Sequence, residues 1–172
     1  MLLDDFHRLP AAEAREIVRV WADVPGWADA LVAGRPYADV AALARRADEL
    51  AGAWTEADLD GALAHHPRIG DRVTSAGANA DHSRREQSAM RDAASDVARR
   101  IAEGNAAYEE RFGRVFLIRA AGRSPEQILA ELERRLDSDA DAEWREAAGQ
   151  LSQIAQLRLE DALDDDATPE AP

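Results

Sequence analysis

Segment after segment of this chain repeats apolar residues at the three- and four-residue steps of an α-helix, and a proline or glycine punctuates most of them. Ala14, Ile17, Val18 and Trp21 follow Pro10 at that spacing, and Val24-Pro25-Gly26 breaks the run. A short helix is expected from Trp27 to Val32, ended by Gly34-Arg35-Pro36. From Asp39 onward Val40, Leu43, Ala44, Ala47 and Leu50 trace another helical face. Thr55, with Asp58 three residues on, reads as a capped start to a helix through Leu59 and Leu63. That helix runs towards His65-His66, where Pro67 stops it. Ser124-Pro125-Glu126-Gln127 combines a cap, a proline at the first helical position and a glutamine at the third, ahead of Ile128, Leu129, Leu132 and Leu136. The last helix is expected from about Ala140 to Leu163.

Between these stretches the pattern is less regular. Residues 67 to 82 lack apolar periodicity and hold Pro67, Gly70, Asp71, Ser75, Gly77 and Asn79; a connection of that length inside a compact domain usually carries function or is disordered. Ser83 is expected to cap a helix running to about Glu103, with Gly104 ending it and a short helix from Asn105 to Phe112 following. Val115-Phe116-Leu117-Ile118 is too short an apolar run to class as helix or strand. The expectation is therefore an all-α, single-domain bundle of about seven to eight helices over residues 1–163. Residues 164–172, acidic and proline-containing, form a disordered tail.

Charge and composition narrow the function. Asp and Glu outnumber Lys and Arg by 34 to 21, a net charge of −13, which repels phosphate backbones and anionic lipid surfaces. Nucleic-acid and membrane-surface binding are not expected. The absence of cysteine removes disulfides, thiol catalysis and cysteine-based zinc sites. No apolar stretch reaches the ~18 residues of a membrane span, and Met1-Leu2-Leu3-Asp4-Asp5 does not read as a signal peptide. A cytoplasmic protein is expected.

Three features could carry chemistry. His65-His66-Pro67-Arg68-Ile69-Gly70 places a histidine pair at a helix end, and Ser83-Arg84-Arg85-Glu86-Gln87 stands at the far side of the irregular stretch. The third is Arg158, which continues the row Ala147, Leu151, Ile154 and so directs a guanidinium along a buried face. Each also has a purely structural reading. A histidine at a helix C-terminus favours the dipole there, Ser83 with Glu86 fits a capping box, and Arg158 can snorkel outward if the stripe is phased on Leu157 and Leu159. His82 and Glu86, with His65, His66 and Asp71 nearby, match no metalloenzyme signature.

In combination and in this order, these residues resemble the 2-oxo-4-hydroxy-4-carboxy-5-ureidoimidazoline (OHCU) decarboxylase family. The resemblance rests on His66-Pro67-Arg68-Ile69-Gly70, on Ser83 to Gln87, and on Asn105, Tyr108, Glu109, Glu110, Arg111, Phe112 and Gly113. It continues through Phe116-Leu117-Ile118 and Ile154 to Leu159, with weaker support from Trp27, Arg35-Pro36-Tyr37 and Glu133-Arg134-Arg135. Where the family usually has Phe-Gly-Phe-Pro-Phe this chain has Phe112-Gly113-Arg114-Val115-Phe116, and Arg119 replaces a small or apolar residue.

The resemblance implies a helical fold particular to the family, commonly a homodimer, working without metal or organic cofactor. It implies OHCU as substrate, decarboxylated to (S)-allantoin during urate degradation, with His66 and Glu86 as the catalytic pair. Substrate contacts implied are Pro67, Ser83, Arg84, Arg85, Gln87, the main chain of Phe116, Leu117, Ile118, Arg119 and Ala120, and Arg158. Three other readings are carried: an enzyme of the same fold acting on a related ureido or imidazoline compound, a non-catalytic helical interaction domain, and a metal-dependent hydrolase.

Overall fold

The computed structural model describes residues 1–64, 66–69 and 95–165. Among them are eight helices: α1 (Leu3–Arg8), α2 (Ala11–Trp21), α3 (Pro25–Ala33), α4 (Val40–Ala51), α5 (Glu56–Leu63), α6 (Ser95–Phe112), α7 (Pro125–Leu136) and α8 (Ala140–Ala162). No strand occurs among the described residues, so the all-α expectation holds there; a single bridge pairs Leu2 with Asp164. None of the described helices is long and apolar enough to cross a membrane. The chain divides into two compact units, Met1–Thr55 with the residues from Ser152 on, and Glu56–Leu151; α8 contributes to both.

In the first unit α2 buries Ala14, Val18 and Trp21 and α4 buries Leu43 and Ala47 of the stripes read from the sequence, while Ile17, Val40, Ala44 and Leu50 are half-buried; α3 buries Trp27, Ala28, Leu31 and Val32. Asp39 caps α4 by accepting from the Ala42 N–H. Trp27 lies edge-on to Trp54 and donates its indole N–H to the Ala47 carbonyl at 2.9 Å, so a large apolar ring is buried with its one polar atom satisfied. The helix α1 was not expected. Only Leu3 and Phe6 of its six residues are buried, and it is held from a distance. Arg35 donates to the Phe6 and Leu9 carbonyls at 2.6 and 3.0 Å while its guanidinium stands over the Phe6 ring. The Tyr37 N–H donates to the His7 imidazole at 3.0 Å. The Arg35-Pro36-Tyr37 segment thus ties α1 to its unit.

The second unit is built on a core of Ile69, Ile101, Tyr108, Phe116, Ile118, Ala120, Ile128, Leu129 and Leu132. Here the sequence expectation of two helices divided at Gly104 is corrected: α6 runs unbroken from Ser95 to Phe112. Gly104 serves packing. A Cβ on it would lie 2.6 Å from Leu132 Cδ2, so its bare Cα lets α7 approach α6 closely. The expected start of α7 is present in full, with Ser124 accepting from the Gln127 N–H and the Gln127 side chain accepting from the Ser124 N–H.

Candidate active site

The segment carrying the sequence-nominated histidine is fixed from both sides. After α5 ends at Leu63, the His66 N–H donates to the Leu63 carbonyl at 3.0 Å, and His66 and Pro67 are half-buried. Arg68 then forks onto Glu109, with Nε and a terminal nitrogen at 2.5 and 2.7 Å from its two oxygens. That hydrogen bonding holds the Glu109 carboxyl below the usual carboxylate range against the opposing effect of burial. Asn105 donates to the Ile69 carbonyl at 3.0 Å, and the Ile69 side chain enters the core. Asn105 and Glu109 are four residues apart and so share one face of α6. That face receives Arg68 and the Ile69 carbonyl, and so sets the main chain that follows His66.

The residues from Val115 to Ala120 form the second element. Phe116, Ile118 and Ala120 belong to the core cluster, whereas Leu117, itself buried, and Arg119 do not, so successive side chains leave on opposite sides as in extended chain. The main chain is engaged along one edge. The Leu117 carbonyl accepts from Arg135 at 2.7 Å, and the Arg119 N–H donates to Gln150 Oε1 at 2.9 Å. Arg135 is fully buried and pairs with Glu143, also fully buried, Nε lying 3.0 and 3.1 Å from the two carboxylate oxygens. Tyr108 donates its hydroxyl to the same carboxylate. Burial lowers the proton affinity of the Arg135 guanidinium, but the Glu143 hydrogen bonds and neighbouring charges more than restore it, so it stays a cation. Burial pushes the Tyr108 phenol up, keeping it neutral and a donor.

The two departures from the family pattern have distinct surroundings. The Arg114 side chain, 8% exposed, reaches back to α5, pairing with Glu56 and, at 2.9 Å, with Asp60. Glu56 and Asp60 are one helical turn apart, so Arg114 binds the start of the 115–120 segment to the helix that leads to His66. A cavity of about 410 Å³ opens there, lined among the described residues by Asp60, Leu63, Ala64, Glu109, Gly113, Arg114 and Val115. Arg119 is partly exposed, and its buried Nε has no hydrogen-bond partner among the described residues.

Arg158 belongs to the other unit and is buried, as its stripe predicted; the alternative of an outward-snorkelling side chain is excluded. It donates to the Val20 and Trp21 carbonyls at 3.2 and 3.1 Å, satisfying groups that the C-terminal turn of α2 leaves open. Ser83, Arg84, Arg85, Glu86 and Gln87 lie outside the described residues. So do His65, Asp71 and His82, leaving His66 as the one described member of the possible metal set. Glu143 and Gln150 were not singled out from the sequence, and Arg135 entered only as weaker support for the family resemblance, with no role assigned. Arg135 had a legible signal, since it continues the apolar row Ile128, Leu132 at the next helical step.

The family model described as OHCU decarboxylase matches residues 7–160. The 2-oxo-4-hydroxy-4-carboxy-5-ureidoimidazoline decarboxylase of Amia calva is 31% identical over 170 residues, covering 95% of this chain and 97% of its own. The enzyme of the same name from Mus musculus is 29% identical over 165 residues, covering 92% and 93%. Among solved structures, an OHCU decarboxylase crystallised in the presence of (S)-allantoin superposes with a TM-score of 0.70 at 21% identity, covering 83% of this chain and 94% of that one. The matched span takes in the pinned His66 segment, the extended 115–120 segment and Arg158, and the chain belongs to the OHCU decarboxylase family.

Proposed function

We propose that this chain is a carboxy-lyase that converts OHCU to (S)-allantoin and CO2 in urate degradation. One observation carries the reading: the family match spans residues 7–160, and within it His66-Pro67-Arg68-Ile69 is held on α6 by Asn105 and Glu109. The chemistry suits such a chain. The departing carboxylate sits on a ring carbon that also bears a hydroxyl and adjoins a C=N carbon. When the C–C bond to CO2 breaks, its electron pair moves into the ring, and the imine nitrogen takes up a proton. Loss of the hydroxyl proton and delivery of a proton to one face of the ureido-bearing carbon then give allantoin of one hand. The substrate supplies its own electron sink, so the protein's part is orientation, desolvation and directed proton transfer.

In this reading His66 is the acid–base residue, because an imidazole can both give up and accept a proton. Glu86 orients it or bonds the ureido and ring N–H groups. Pro67, Ser83, Arg84, Arg85, Gln87 and the main chain from Phe116 to Ala120 contact substrate, and Arg158 is carried over as a further contact on the family motif alone. The enzymatic domain spans residues 1–163, acts as a homodimer and works in the cytoplasm.

The test is circular dichroism of the allantoin formed when OHCU, generated in place from urate, meets the protein. Uncatalysed decay gives the racemate, so a growing (S)-allantoin signal reports enzyme action directly. His66→Asn is expected to lower turnover by about 10²- to 10⁴-fold with the helical content unchanged. Racemic product at the background rate from folded wild-type protein would overturn the reading.

A further inference from the structure

Extended chain alternates its polar groups as well as its side chains. The carbonyl of one residue and the N–H two residues on point to one edge, and the N–H and carbonyl of the residue between them point to the other. In this protein the first edge is closed. The Leu117 carbonyl accepts from Arg135 at 2.7 Å and the Arg119 N–H donates to Gln150 at 2.9 Å, one partner from α7 and one from α8. The second edge, the N–H and carbonyl of Ile118, has no hydrogen bond among the described residues. A donor and an acceptor side by side on one residue are the complement of a ring amide or cyclic urea, whose own N–H and C=O are adjacent.

From this we infer that Arg135 and Gln150 are positioning residues. They hold the two peptide planes flanking Ile118 so that its N–H and carbonyl face a cyclic-urea substrate with fixed spacing and direction. The inference rests on the proposed decarboxylase reading, in which the 116–120 main chain contacts OHCU, and it assigns the parts that aim that main chain. Each peptide is a rigid plane, so fixing the Leu117 oxygen fixes the Ile118 hydrogen, and fixing the Arg119 hydrogen fixes the Ile118 oxygen. Arg135 is itself set by the fully buried Glu143, whose carboxylate also takes the Tyr108 hydroxyl. Phe116 lies beneath the same guanidinium, 4.7 Å from its centre. Arg123 adds a further tie, donating from Nε to the Arg119 carbonyl at 3.2 Å and from its N–H to the Ala120 carbonyl at 3.0 Å. Among the described residues no strand lies beside this extended stretch, and side chains hold its main chain instead.

Steady-state kinetics on OHCU, with allantoin chirality read in the same cuvette, test the inference. Gln150 is partly exposed, so its variants leave the core in place. Gln150→Met removes the acceptor at nearly constant size and is expected to lower kcat/KM by about tenfold, most of it in KM, because a substrate contact loses its aim. Gln150→Glu keeps an oxygen acceptor and is expected to restore KM to within about threefold of wild type. Arg135→Lys keeps the charge beside Glu143 but loses the fork to Leu117, and is expected to raise KM in the fraction that folds. A merely structural role would lower the melting temperature of these variants while leaving KM unchanged and the two Gln150 variants alike. Wild-type activity with a Gln150→Met KM equal to wild type would overturn the positioning role alone. A wild type that turns over no OHCU would overturn the decarboxylase reading, and this inference with it.

Discussion

Arg135 and Glu143 form a fully buried ion pair in the second unit, and burial is what distinguishes them from the chain's many exposed ion pairs. Arg99 and Glu103 make the same kind of contact at 2.8 Å, but their side chains are 58% and 63% exposed, whereas those of Arg135 and Glu143 are 1% and 0% exposed. In water the exposed pair exchanges one set of charge contacts for another, worth less than about 1 kcal/mol. Removing one member of the buried pair strands the other charge where water cannot reach it, at a cost of about 3–5 kcal/mol. Glu143→Gln is therefore expected to shift the urea midpoint at neutral pH far below that of Glu103→Gln, at equal transition slope. Equal shifts for the two variants would show that water reaches Arg135. At this scale the sequence was legible in part. A stripe argument found Arg158, and the same argument applied to Ile128, Leu132 and Arg135 would have found Arg135. Its partner could not be found that way, because Glu143 sits beyond a turn in the next helix and nothing in the linear pattern separates it from Glu131, Glu133 or Glu146.

Among the elements, the sequence was read best where a helix announces its own boundary. Ser124, Pro125 and Gln127 are local instructions, and α7 begins on them. It was read worst where a long-range contact sets the boundary. Glycine in mid-helix costs about 1 kcal/mol relative to alanine, so Gly104 reads as a break until Leu132 is seen lying against it. Likewise α1 is too short to show a period, and its anchors arrive from Arg35 and Tyr37, some thirty residues on. The packing reading of Gly104 makes a definite prediction. Gly104→Ala gains about 1 kcal/mol in helix propensity but drives a methyl group into a fully buried leucine, and overpacking of this kind costs about 1–3 kcal/mol. The variant is expected to be destabilised by about 1 kcal/mol. Adding Leu132→Val, which withdraws the obstructing methyl, should make the pair more stable than the sum of the two single changes. Strict additivity would mean that α6 and α7 separate freely and that Gly104 has no packing role.

For the whole molecule the governing quantity is the net charge of −13. Proposed as a homodimer, the protein must bring two such charges together, and among the described residues the exposed large hydrophobics are only Met1 and Leu2. An interface lacking a broad apolar patch there draws little on hydrophobic burial, so long-range repulsion weighs heavily in its balance. Raising salt from about 0.01 M to about 0.15 M shortens the screening length from ~30 to ~8 Å. That removes most of the repulsion between surfaces while leaving short-range contacts largely intact. The dimer fraction, measured by light scattering at fixed protein concentration, is therefore expected to rise with salt over this range. A fraction that falls instead would mean that opposite charges meet across the interface and outweigh the net repulsion. A mass that stays monomeric throughout would end the dimer proposal. Either result leaves the decarboxylase reading to be decided by the handedness of the allantoin.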